Sequence, residues 1–396
     1  MDSLGIYISV PFCRSKCTYC NFASGVFPSS YMERYVERVR EDLRSAMSAH
    51  AGMPRMADTI YLGGGTPSLL PPELMKTLFG AIHEQFQMTG EAEITVECAP
   101  GQLADETLDA MLECGVNRIS FGVQSFIDRE AKAAGRLHTR AMALEDIRRV
   151  RRAGIQRVNA DLIAGLPHQT ADSWSESLAV LAETGVDHAS IYMLEVDDDS
   201  RLGREVLNGG ARYFAPAIPS DDAIADMYIE AVDVLAKHGL TQYEISNFAR
   251  GSGAESLHNK RYWLRRPYLG LGVDAHSMLR GANGEAVRFA ATDNLENYLE
   301  APGWSDLHAL TRREEIEEAW FLGLRLHAGV SLCRLAAEFG SEVAAAYNPI
   351  VETLLFEGLL ASYGDRVALT AQGRLLSNEV FARFLDGMEI SEPATV

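Results

Sequence analysis

From the start of the chain to about residue 200, short apolar runs alternate with amphipathic stretches. The runs Gly5–Val10, Thr59–Leu62, Glu93–Glu97, Arg118–Gly122, Arg157–Ile163 and His188–Glu195 predict strands. The stretches Ser29–Met47, Pro72–Phe86, Asp105–Cys114, Arg140–Ala153 and Thr170–Thr184 predict helices between them. Pro71-Pro72-Glu73, Asp105-Glu106 and Thr170 with Asp172 read as helix starts, and Gly115, Gly154 and Gly185 sit where a left-handed residue ends one. Such β–α alternation with right-handed crossovers predicts an α/β fold, a parallel sheet that is open or curled into a partial (β/α)6 barrel.

Beyond residue 200 the pattern fades. Asp197-Asp198-Asp199 and Gly209-Gly210 predict a loop, Asp221–His238 a helix ended at Gly239, and Glu314–Leu326 another helix. Residues 357–360 and 367–370 around Gly364-Asp365 predict a hairpin, followed by a helix through Phe384. A C-terminal, mostly helical domain with a small winged-helix-like unit fits. The expected division is a barrel over 1–235, a connecting region over 236–300 and a C-terminal domain over 301–390, with Ser391–Val396 frayed.

The residues with most chemistry fall at or just after the C-terminal ends of the predicted strands. Cys13 to Cys20 follow the first strand, and Gly63-Gly64-Gly65-Thr66-Pro67 the second. Glu97 ends the third, Gln124 follows the fourth, Asp161 lies near the end of the fifth and Glu195 ends the sixth. In a parallel barrel those ends share one face, so these side chains are expected to converge on a single site.

Charge and composition narrow the partners. Thirty-six basic residues against 55 acidic give a net charge of −19, which argues against nucleic acid as a main partner. No apolar run has the length of a bilayer span, so the protein is not expected to be membrane-integral. Met1-Asp2-Ser3-Leu4 shows no basic, then apolar, secretion signal, and a cytoplasmic location is the expectation.

Three of the six cysteines crowd into Cys13-x3-Cys17-x2-Cys20; Cys98, Cys114 and Cys333 are scattered. In a reducing compartment such a cluster suggests metal or redox chemistry rather than disulfides. A loop this short can wrap three thiolates round a cube of iron and sulfide and leave one iron open. A structural zinc site would want four ligands, and the nearest histidine in sequence, His50, stands beyond a predicted helix.

The triplet resembles the signature of the radical S-adenosylmethionine superfamily, in which a 4Fe-4S cluster offers its open iron to the methionine end of the cofactor. Tyr61-Leu-Gly-Gly-Gly-Thr-Pro67 is similar to the glycine loop that meets the methionine amino group. The resemblance implies that Tyr7, Tyr19, Gly64, Gly65, Thr66, Glu97, Gln124, Arg136 and Asp161 surround S-adenosylmethionine. Glu97 and Asp161 can accept hydrogen bonds from ribose or amine, and Arg136 can pair with the carboxylate.

Residues 119–125, 135–138, 161–167 and 243–248 resemble one branch, which holds the oxygen-independent coproporphyrinogen III oxidases and the HemW heme chaperones. The oxidases carry a further cysteine two residues after the triplet, where this chain has Phe22, and an upstream extension where only twelve residues precede Cys13. His258-Asn259-Lys-Arg-Tyr262-Trp263 matches the H-N-x-x-Y-W motif that the chaperones use for heme. The resemblance therefore implies a heme-binding and trafficking protein that retains the cluster and S-adenosylmethionine, with a HemN-type C-terminal domain. The alternative is a radical enzyme of heme synthesis that decarboxylates coproporphyrinogen. By the same resemblance His258 is the candidate iron ligand, with His276 second. Tyr262 and Trp263 offer flat surface, and Lys260, Arg261, Arg265 and Arg266 can pair with propionates. Heme-acceptor proteins, membrane-bound respiratory enzymes among them, are the implied partners. A homodimer is left open by the sequence.

Overall fold

In the computed structural model, residues 3–49, 52–281, 283–301 and 303–385 are described. His50 and the terminal Ser391–Val396 segment lie outside them. The first six strands are β1 (Leu4–Val10), β2 (Met56–Gly64), β3 (Gln87–Cys98), β4 (Arg118–Gln124), β5 (Arg157–Ala164) and β6 (His188–Met193). They hydrogen-bond in that order and all run parallel. The five predicted helices form between them within one or two residues, and Gly115, Gly154 and Gly185 all take positive φ. Thr170 caps its helix in a reciprocal box with Ser173.

Alternation within each strand gives the sheet two unlike faces. Leu4, Ile6, Ile8 and Val10 of β1 are fully buried and pack with Tyr35, Val36, Val39 and Leu43 of helix Ser30–Ala49. The opposite face carries Thr59, Tyr61, Glu93, Thr95, Glu97, Arg118, Ser120, Asn159, Asp161 and His188 on β2 to β6. Register pairs them across the strands, as Thr95 with Arg118, Glu97 with Ser120 and Asp161 with Ser190. Asn159 donates to Ser120 Oγ at 2.7 Å and to Asp161 Oδ1 at 2.6 Å, so this buried polar face satisfies much of itself.

The sheet does not end where the sequence pattern fades. Residues beyond 235 add β7 (Thr241–Gln242) and β8 (Asn247–Ala249) outside β6. Strands β9 (Tyr268–Gly272), β10 (His276–Arg280), β11 (Ala286–Ala290) and β12 (Ser305–Ala309) extend the other edge beyond β1, giving twelve in all among the described residues. The expected connecting region thus flanks the barrel strands on both sides. Among the described residues up to 235, two short α-helices escape the sequence pattern: Asp128–Ala133, and Arg201–Leu207 inside the expected loop. Each is shorter than two full helical turns, too short for a clear 3.6-residue period. The sixth strand stops at Met193, two residues before Glu195.

A separate core gathers Ile316, Trp320, Leu335, Tyr347, Val380 and Phe384 in the C-terminal region. There the expected hairpin forms β14 (Leu360–Tyr363) and β15 (Arg366–Leu369), joined by a short β13 (Val330–Ser331) in a three-stranded sheet. Helices Arg312–Arg325 and Ser377–Leu385 pack beside it.

Candidate functional site

The C-terminal ends of β1 to β6 do converge. They open on one cavity of about 560 Å³, lined by Cys13, Cys17, Cys20, Tyr19, Gly64, Gly65, Thr66, Glu97, Gln124, Arg136, Asp161 and Glu195. The glycine loop is seated against the cysteine loop, because Gly65 N donates to Val10 O and Thr66 N to Phe12 O, both at 2.8 Å. A Cβ at position 65 would stand 2.8 Å from those same carbonyl oxygens, so only glycine permits the approach. Gln124 lies past an irregularity in β4 and has φ 68°, an uncommon backbone state for a residue with a side chain.

The three thiols sit among donors. Thr66 Oγ1 lies 3.9 Å from Cys13 Sγ, and Arg136 Nη1 donates to Cys17 Sγ at 3.4 Å. Burial pushes the Cys13 and Cys20 thiols up, opposed at Cys13 by hydrogen bonds from Ser24 and Thr66 and at Cys20 by the charge of Lys16. Burial thus favours the protonated form at Cys13 and Cys20, and a bound cationic centre supplies the compensation that thiolates need there. Among the described residues, the one trio of ligand-type side chains with all donor atoms within 4.8 Å of one another is Asp197–Asp199.

Polar capacity is left unspent around the cavity. Gln124 Oε1 and Arg136 Nε, on residues that line it, are buried without a hydrogen-bond partner. Such atoms are costly unless a ligand or water meets them. Burial raises Glu97 to about 7, with the hydrogen bond from Tyr61 at 2.7 Å opposing it and the charge of Asp161 adding to it. Asp161 is raised by the same burial, against hydrogen bonds from Ser190 and Asn159. Cluster, amine and ribose are the kinds of group this donor set fits.

Tyr7 departs from its expected place. It is absent from the cavity lining, and its ring stands 6.2 Å from those of Tyr61 and His258 in an aromatic group. Conversely, Tyr192, Leu375, Ser377 and Asn378 line the cavity although the sequence reading passed over them. The last three come from the C-terminal region, and no local pattern signals that.

The H-N-x-x-Y-W segment is a helix, Leu257–Trp263, held against the polar face nearer the N-terminal ends of the strands. Glu93 accepts from the backbone N–H of Leu257 and His258 at 3.2 and 3.1 Å, a carboxylate capping the helix start. Ser256 Oγ accepts from Asn259 N at 3.2 Å. Arg261 fills the space left by Gly5, whose Cβ would meet Arg261 Cδ at 2.3 Å, and pairs with Asp58. His258 is 1% exposed and stacks on Tyr61. Its Nδ1 meets Thr59 Oγ1 at 2.9 Å and its Nε2 meets Tyr262 OH at 2.8 Å. Burial lowers its pKa to about 3, so it is a neutral, fully engaged imidazole. In this structure both nitrogens of the expected iron ligand are thus taken, and Arg261 is likewise spent on Asp58. Lys260 and Arg265 pair with Glu255 and Glu338 at 2.5 Å each. His276 is exposed, 3.9 Å from Asp274. Trp263 alone of the motif's aromatics lines a different cavity.

Parallel strands in sequence order, three cysteines on the first βα loop and a glycine loop beside them define a radical S-adenosylmethionine protein. The model of that superfamily matches residues 7–181, and that of the HemN C-terminal domain matches 310–376. The heme chaperone HemW of Bacillus subtilis is 34% identical over 96% of this chain and 98% of its own, and that of Escherichia coli 28% over 97% and 99%. The chain belongs to the HemW family. Among solved structures, the Escherichia coli coproporphyrinogen III oxidase HemN superposes with a TM-score of 0.83 over 97% of this chain and 90% of its own. At 23% identity that likeness shows the shared fold.

Proposed function

We propose that this protein is a heme chaperone that binds heme and transfers it to acceptor proteins, while keeping a 4Fe-4S cluster and an S-adenosylmethionine site. The observation that carries the reading is near-complete coverage, in both directions, by relatives named heme chaperones. In the cavity, Cys13, Cys17 and Cys20 are the cluster ligands. Gly64, Gly65, Thr66, Gln124, Arg136, Glu97 and Asp161, with Tyr19 beside them, cradle S-adenosylmethionine. Arg136 supplies a cation for the cofactor's carboxylate while holding Cys17, and Glu97 and Asp161 accept from its ribose and amine. The cluster, when bound, supplies a low-potential electron and an open iron.

Phe22 separates this reading from the oxidase alternative. It stands 61% exposed where the oxidases carry a further cysteine, and it lines the cavity mouth with an inert ring. Acceptors are proteins that need heme, membrane-bound respiratory enzymes included, and the cytoplasm is the proposed site of action. No helix among the described residues is long and apolar enough to cross a membrane.

The test uses the full chain purified without oxygen. It should bind one heme and pass it to an apo-acceptor, seen as transfer of the Soret absorption in a mixing experiment. Incubation with coproporphyrinogen and S-adenosylmethionine should leave the substrate intact. Conversion to protoporphyrinogen would replace the chaperone by the oxidase.

A further inference from the structure

A heme protein needs a histidine with a free nitrogen, or another axial donor, and His258 has none to offer. A second cavity, of about 670 Å³, opens between helix Leu257–Trp263, strand β7 and the C-terminal region. Its size is that of a small-molecule site, about 300–1,000 Å³. We infer that this second cavity is where heme binds, with His327 as an iron ligand and Arg334 and Arg366 receiving the two propionates. The inference rests on the heme-chaperone reading and gives it a place.

His327 lines the cavity and is exposed there, and its backbone N–H is fixed to Tyr243 O at 2.8 Å. Its imidazole makes no hydrogen bond or ion pair among the described residues, unlike those of His188, His258 and His308. Burial and the nearby charge of Arg374 lower its pKa, so the ring is neutral near pH 7 and keeps a lone pair for iron.

Charge around the cavity supports the same ligand. Lys260, Arg265, Arg334 and Arg366 face Glu255 and Glu338, four cations against two carboxylates, a net of two positive on a chain of net charge −19. The two carboxylates are already matched by Lys260 and Arg265. Arg334 and Arg366 have no carboxylate partner among the described residues. Arg366 donates to Ala328 O and Gly329 O at 3.0 and 2.9 Å, which places a guanidinium beside the segment that carries His327. A flat dianion with a metal centre matches two guanidinium groups that lack a carboxylate partner and one imidazole without a hydrogen bond among the described residues. Apolar contact comes from Trp263, Leu264, Leu326 and Leu335. The indole N–H of Trp263 is buried without a partner, one more donor for an acceptor in the cavity.

Titrating ferric hemin into the oxygen-free full chain, followed at the Soret band, tests this. The wild type should saturate at one heme per chain, and His327→Ala should weaken binding at least tenfold. His327→Cys should retain heme but shift its spectrum to that of a thiolate-ligated iron. Arg334→Glu, a change at an exposed position, should weaken binding with the melting curve unaltered. If the wild type saturates and all three variants keep its affinity and spectrum, the cavity is not the site, while the chaperone reading stands. Weakening in Arg334→Glu alone would remove His327 from the iron. If the wild type binds no heme, the chaperone reading itself falls and takes this inference with it.

Discussion

The guanidinium of Arg325 stacks 4.3 Å from the ring centroid of Trp263, and the pair stands between the two cavities. Arg325 lines the cluster side and Trp263 the other. The same cation opposes the burial of Glu244, which is 1% exposed with Oε2 unpartnered and whose pKa is raised, chiefly by that burial. Arg325→Leu removes both relationships and is expected to cost about 2 kcal/mol of folding stability. A protonated Glu244 needs no counter-cation, so the deficit should grow as pH rises. Urea unfolding of both proteins at pH 5 and pH 8 measures it; an equal deficit at the two values would dissociate Arg325 from Glu244.

Glu97 makes the cluster cavity pH-sensitive. Its carboxyl is raised by burial from 4.5 to about 7. A group raised on folding stabilises fully below its unfolded pKa and loses that contribution as pH climbs through the folded value. Wild type should therefore lose stability between about pH 4.5 and 7 relative to Glu97→Gln. The full shift is worth about 3 kcal/mol, and less where water in the cavity screens the group. Bound S-adenosylmethionine, by donating to the carboxylate, should drive the proton off. Calorimetry in buffers of different ionisation enthalpy should show proton release near pH 6.5 in wild type and none in the Gln variant.

The contrast between the two cavities explains what the sequence made legible. Cys13 to Cys20, Gly64 to Thr66, Glu97 and Asp161 were readable because each lies at a fixed offset from a strand end, and parallel topology turns that offset into a shared place. Tyr7 lies away from the cavity lining because the side of β1 it occupies meets Tyr61 and His258 well along the strand, not at its end. The engagement of both His258 nitrogens is hidden from the sequence for a related reason. A histidine beside aromatics looks the same in sequence whether its nitrogens are free or taken, and Thr59, which takes one, is 199 positions away. Strands β9 to β12 were missed because pairing with β1 is a long-range event. His327 and Arg366 carry no motif; the pairing of β13 with β15 brings them together, and the packing of the C-terminal region sets them opposite helix Leu257–Trp263.

Thr59 offers a way to separate bracing from ligation. Thr59→Val keeps the shape but leaves His258 Nδ1 buried without its partner, an expected cost of about 1–2 kcal/mol. If His258 is a brace, this variant should melt earlier yet bind hemin with the wild-type spectrum. His258→Ala should lose more, about 2–4 kcal/mol, since the Tyr61 stack and the Tyr262 bond go with it. A changed heme spectrum in Thr59→Val, without loss of stability, would return His258 to the iron.

Four cysteines, not three, face the cluster cavity, and the fourth provides the control. Cys98 ends β3 and lines the same space, but burial pushes its thiol up to about 12. Hydrogen-bonded to Val96 O at 3.9 Å and 3% exposed, it stays a protonated core thiol. Cys13, Cys17 and Cys20 are each partly exposed on one short loop, with Thr66 beside Cys13, Arg136 donating to Cys17 and the charge of Lys16 near Cys20. Cys98→Ala should therefore keep about four irons per chain after anaerobic reconstitution, the load of one cube. Alanine at any of Cys13, Cys17 or Cys20 should bring iron and acid-labile sulfide down together to a small fraction of that. Retention of the full load in one of those three variants, with loss in Cys98→Ala, would exchange their roles.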